Sequence, residues 1–175
     1  VARVRQDFRN RSNIGAMFVN RGATGDLAGE RDYNRSYAVD GRWGIGQTGT
    51  VSGFAAQTDT PGLKGDTHAF NMAANYDSER YQLRGGFTEV GPNFNPEVGF
   101  VRRAGRKILH GEFGLRFFQE PDSSLGRYIR EISPHLTSEQ LLLPGSITET
   151  KLLRPQFRVE FQDSGSFQAE YVQNF

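Results

Sequence analysis

The chain has 175 residues, 36% of them hydrophobic, and its 21 basic and 20 acidic side chains nearly cancel. Balanced charge argues against a nucleic-acid or anionic-lipid surface as the main function, and the absence of cysteine excludes a disulfide framework and a thiolate metal site. No apolar run reaches the ~18 residues of a transmembrane helix, while a mean hydropathy of -0.59 still suits a barrel that is apolar outside and polar inside.

Segments of about ten residues alternate apolar with polar side chains, which puts one residue type on each face of a β-strand. The chain opens at Val1, without Met, inside a short strand from Ala2 to Phe8, and is expected to be a piece of a longer protein. Arg9-Asn10-Arg11 leads into Ser12 to Asn20, and Arg21 to Arg31 is a polar, Gly-rich loop. The strand Asn34 to Gly44 sets Tyr37, Val39, Trp43 and Ile45 against Ala38, Asp40 and Arg42. Gln47-Thr48-Gly49 is a tight turn with Gly at the expected positive φ; Thr50 to Thr58 returns, and Pro61-Gly62 punctuates the loop Asp59 to Asp66.

Further strands are expected at Thr67 to Tyr76, Arg80 to Thr88 and Arg106 to Phe118, with a turn at Asp77-Ser78-Glu79 and a long link from Glu89 to Gly105. Beyond a turn at Pro121-Asp122, a strand near Gly126 to Leu136 gives way to a blurred stretch, Thr137 to Ile147. A helical alternative scores poorly, and its best candidate, Thr137 to Leu143, is too short to matter. Leu152 to Phe161 and Phe167 to Phe175 close the chain around Asp163-Ser164-Gly165. The links alternate long and short, as in an up-and-down sheet crossing a membrane. The expected fold is an all-β antiparallel meander of nine or ten strands in a single domain, a segment of a transmembrane β-barrel.

Aliphatic residues are sparse for a sandwich core. Trp43, Tyr76, Tyr81, Phe87 and Phe117 recur near strand ends and suit an interfacial aromatic girdle. The opposite faces carry Asp40, Arg42, Arg84, His110, Glu112, Arg116, Arg158 and Glu160, which suit a water-filled lumen; Asp40, Arg42, Arg84, Glu112 and Arg116 are its candidate lining. The rival reading is a soluble β-sandwich binding module.

Motifs for catalysis or cofactors do not survive their context. Gly44-Ile45-Gly46-Gln47-Thr48-Gly49 spells a dinucleotide fingerprint, but that motif needs a helix after a buried strand; here a hairpin is the better reading. His68, His110 and His135 lack metal-ligand spacing. Asp59 to Asp66 is too sparse for a calcium loop, and no Ser sits in Gly-x-Ser-x-Gly. No cofactor and no catalytic residue is assigned.

The least generic stretch runs from Asn93 to Arg103. Asn93, Phe94, Asn95, Glu97, Phe100, Arg102 and Arg103 are candidates for an ordered loop that folds into a barrel mouth and constricts it. This stretch, with Arg11-Ser12-Asn13-Ile14-Gly15, Asn20-Arg21, Tyr37-Ala38-Val39-Asp40 and Thr60-Pro61-Gly62, resembles a bacterial family of outer-membrane proteins. In that family a family-9-type carbohydrate-binding module precedes a long β-barrel domain of unknown function. The resemblance is strong up to Arg103 and weaker from Gly126. It implies a Gram-negative outer membrane, contact with outer-membrane lipid, a longer barrel and an upstream sugar-binding module, hence a possible glycan ligand. Some family members are labelled hydrolases, so an outer-membrane hydrolase acting on carbohydrate is a rival. Phe167, Ala169, Tyr171 and Phe175 mimic the C-terminal aromatic signal of outer-membrane barrels; a barrel that continues would make that accidental.

Overall fold

The structure, a computed structural model, describes residues 1–25, 29, 32–98 and 104–175. Twelve strands make one antiparallel sheet: β1 (Ala2–Phe8), β2 (Ser12–Gly22), β3 (Tyr33–Ile45), β4 (Gly49–Asp59), β5 (His68–Asp77), β6 (Tyr81–Val90), β7 (Arg106–Leu115), β8 (Phe117–Phe118), β9 (Ile129–Leu142), β10 (Thr148–Phe161), β11 (Ser166–Glu170) and β12 (Gln173–Asn174). Strands adjacent in the chain are adjacent in space, with β8 joined to β9 and β12 to β10. The path starts at β1 and ends at β11, so among the described residues the sheet is open and does not close into a barrel.

The sheet is a single layer. Its elements pack against their sheet neighbours, and a 3-10 turn at Pro144–Ser146 touches β7. Val19 and Ala69 are the buried hydrophobic residues among those described, while Val39, Trp43, Met72, Leu83, Leu109 and Phe113 are all exposed. The accessible surface is 12094 Å², against about 8,600 Å² for a compact monomer of this mass. The excess is a face that has no cover within the described residues.

Several expectations need correction. The strand expected near Gly126 to Leu136 runs on through the blurred stretch: β9 spans Ile129–Leu142, paired with β7 on one side and β10 on the other. Two ladders hold what local Leu-rich composition leaves ambiguous. The alternation of link lengths holds through β7 and then inverts, because 119–128 is long on the side of the short turns and 143–147 is short on the side of the long loops. The positive φ of the β3–β4 hairpin falls on Gly46, at 56°, and not on Gly49, which already pairs in β4. Gly44 is needed for close approach: a Cβ there would lie 2.1 Å from the Asn10 carbonyl oxygen. Its N–H donates to Ser12 Oγ at 3.0 Å, which ties the first hairpin to β3.

Two prolines explain why ten continuous runs of chain in the sheet are divided into twelve strands. β7 and β8 pair with β9 in one register (Gly114↔His135, Phe117↔Ile132), and the ladder is interrupted over two pairs, Leu115 with Pro134 and Arg116 with Ser133. β11 and β12 likewise share one register on β10 (Gln156↔Glu170, Leu153↔Gln173), interrupted where Tyr171 faces Pro155. Proline has no N–H to give the opposing carbonyl. Tyr171 N–H still donates to Pro155 O at 3.0 Å, but nothing returns.

Candidate functional site

The registers place Ile14, Ala16, Phe18, Tyr37, Val39, Trp43, Val51, Ala55, Phe70, Met72, Tyr76, Leu83, Phe87, Leu109 and Phe113 on one face. This apolar face is bordered on both sides. On the side of the long loops the border is charged: Arg35 meets Asp59 at 3.9 Å, His68 Nε2 meets Glu89 at 3.7 Å, and Lys107 Nζ meets Glu89 at 3.1 Å. On the side of the short turns it is aromatic, formed by Trp43, Tyr76, Tyr81 and Phe117. Arg35 and Trp43, His68 and Tyr76, and Glu89 and Tyr81 each lie about eight residues apart on one strand, or about 26 Å.

Both borders step along the strands. Following the register from Lys107 back through Glu89, Phe70 and Ala55 leads to Val39, four residues inward of Arg35; following it from Trp43 through Val51, Ala74 and Gly85 leads to Gly111, and Phe117 lies six residues beyond that. These offsets are about 13 Å and about 20 Å along the strand, over about 19 Å across it. The apolar belt is therefore slanted by roughly 35–45° to the rows of paired residues. Phe87 departs from the expected girdle. β6 runs away from the short turns, so Phe87 lies inside the belt near the charged border, its ring 6.2 Å from that of Phe70.

The opposite face is polar and carries the candidate lumen residues, in separate pairs and not one cluster. Asp40 accepts from Arg3 at 3.0 Å, Arg84 meets Glu112 at 3.5 Å, and Arg116 meets Asp77 at 3.1 Å and donates to the Ser78 carbonyl at 3.0 Å. Arg42 makes no ion pair among the described residues. Glu160 takes both Arg130 and Arg158. Exposed pairs of this kind contribute at most about 1 kcal/mol each.

A device invisible in the sequence recurs on this face: a large polar side chain leans over a glycine directly opposite it. Asp40 faces Gly15, His110 faces Gly86, and His135 faces Gly114. A Cβ on Gly86 would lie 2.5 Å from His110 Cε1, and one on Gly114 2.4 Å from His135 Cδ2. His135 Nε2 reaches Gln82 Oε1 at 2.7 Å across the intervening strand. His68 lies on the apolar face's charged border, so the three histidines do not converge. Gly114→Ala should cost about 1–3 kcal/mol, since the ring must leave its site and give up Gln82. Gly111→Ala, where a Cβ meets nothing within 4 Å, should stay within about 0.5 kcal/mol. Urea unfolding of both variants in detergent micelles measures the difference, and equal costs would contradict the packing.

The loop between β6 and β7 docks on the polar face near the charged border. Asn34, fully buried on β3, donates through Nδ2 to Thr60 Oγ1 and to the Asn95 carbonyl, both at 2.7 Å. Asn95 N–H donates to Thr58 Oγ at 3.0 Å, and Asn93 Nδ2 donates to the carbonyls of Lys64 (3.0 Å) and Gly65 (3.1 Å). Glu97 accepts from Arg21 Nε at 2.6 Å, and the same guanidinium meets Asp32 at 2.5 Å. Phe94 N–H closes a local turn onto the Gly91 carbonyl at 3.2 Å. The loop thus reaches from β6 back to β2. Phe100, Arg102 and Arg103 lie outside the described residues. Comparison of the chain with protein-family models, with curated proteins and with solved structures finds no match, so the site rests on the chain's own residues.

Proposed function

We propose that this sheet is part of the wall of a β-barrel in a bacterial outer membrane, with its belt against lipid and its polar face lining water. The slanted belt carries the reading: strands of such barrels tilt by about 35–45° behind an apolar band about 25 Å tall with aromatic borders. A sheet lying flat on a soluble partner has no need for two borders that step together. The edges of β1 and β11 then pair with further strands. The short turns face the periplasm and the long loops the exterior, where 93–97 narrows the mouth.

On this reading the segment is a passive pore or surface platform, without catalysis of its own. The glycan assignment, capture or uptake alongside an upstream carbohydrate-binding module, is supported by the resemblance of the residues from Asn93 to Arg103. Planar-bilayer recording of the full-length protein should give discrete current steps. Stable insertion without steps over a range of voltages overturns the pore, and a detergent-free soluble monomer overturns the wall.

A further inference from the structure

The phase of the hydrogen bonds shows where the proline gaps point. Gln119 N–H donates to Arg130 O at 3.0 Å, which makes 119/130, 117/132 and 115/134 the hydrogen-bonded pairs between the β7–β8 strand and β9. Phe175 N–H donates to Lys151 O at 2.8 Å and Tyr171 N–H to Pro155 O, which makes the odd-numbered residues of β10 those bonded to β11 and β12. The missing donor of Pro134 therefore faces β7–β8, and that of Pro155 faces β11–β12. Between β9 and β10 the even-numbered residues of β10 bond (Arg154↔Thr137, Gln156↔His135, Arg158↔Ser133), and no proline interrupts them.

We infer that the β9–β10 hairpin is a detachable unit of the sheet, held firmly within itself and separated from both neighbours by a proline seam. Both prolines lie in strands with a neighbour on each side, a position where proline is ordinarily avoided. Both leave a carbonyl, of Leu115 and of Tyr171, without its ladder donor. Both gaps lie on the outer flanks of one hairpin, and the short link 143–147 keeps its strands together when the flanks open. If the wall assignment above holds, and this step rests on it, an opened seam joins the polar face to lipid and gives an amphipathic molecule a sideways exit.

Amide hydrogen exchange by NMR on the full-length protein in detergent micelles tests the seams without assuming a pore, because one strand reports both ladders. In β10 the amides of Leu153, Phe157 and Val159 report the seam, and those of Arg154, Gln156 and Arg158 report the hairpin. In β9 the amides of Ile132 and Leu136 report the other seam. The seam amides should exchange at least about tenfold faster than the hairpin amides. Pro155→Val and Pro134→Val should each close that gap at their own seam, which distinguishes a proline seam from ordinary edge fraying. Gln156→Cys with Glu170→Cys, in a chain with no other cysteine, should on oxidation slow the odd-numbered β10 amides to the rate of the even ones. Equal exchange of the two sets, or proline variants that leave the difference intact, overturns the inference. Loss of conductance alone overturns only the pore.

Discussion

Val39→Arg should destabilise the protein in a bilayer by about 2–4 kcal/mol, while Ala38→Arg, one residue away, should cost less than about 1 kcal/mol. Val39 sits midway between Arg35 and Trp43 on the apolar belt, opposite Ala16 on β2 and Ala55 on β4. Ala38 points to the polar face, opposite Met17 and Ala56. A guanidinium at the centre of the belt either stays in hydrocarbon or distorts the lipid to reach water; at 38 it is already among Asp40, Ser36 and their solvent. The contrast is informative because Val39 is 55% exposed. In water an arginine at so exposed a strand site stays within about 0.5 kcal/mol of wild type. Equilibrium folding into lipid vesicles under urea measures both variants, and equal costs at the two positions would sink the assignment of faces.

Much of this was readable from residue order. The alternation in β2 to β7 marked each strand and its faces, because a period of two leaves no other way to keep Tyr37, Val39 and Trp43 together. The Gly44 to Gly49 stretch was readable as a hairpin from the strands on either side. What remained hidden depends on register. The leaning of His110 over Gly86 and of His135 over Gly114 joins residues far apart in the chain, and the stepped borders exist only once strands are aligned. The position of Phe87 toward the charged border is hidden in the sequence because strand ends look alike until the direction of β6 is fixed. Leu141, Leu142 and Leu143 blur the pattern because consecutive residues point to opposite faces and all three are half-buried, so apolar side chains stand on both faces at this end of β9. The ordered nature of the Asn93 to Glu97 stretch was visible in its composition, yet its anchor, Asn34, was not: a single Asn in a strand gives no sign of being buried.

Asn34→Ala should release that stretch. Nδ2 holds Thr60 Oγ1 and the Asn95 carbonyl at once, so truncation leaves two acceptors without their donor and should cost about 1–3 kcal/mol. Asn34→Asp should cost at least as much. Its shape is nearly the same, but both of its oxygens are acceptors, and a carboxylate would be buried against two more oxygens. A general loss of stability is separated from loop release by limited proteolysis with a glutamate-specific protease. Cleavage after Glu97 should accelerate severalfold in both variants, while cleavage after Glu79, in the turn between β5 and β6 on the far side of the sheet, should keep its wild-type rate. Parallel acceleration at both sites would mean that Asn34 supports the whole sheet and does not anchor the loop. If the wall lines a pore, the same release widens its mouth, and single-channel conductance should rise in Asn34→Ala.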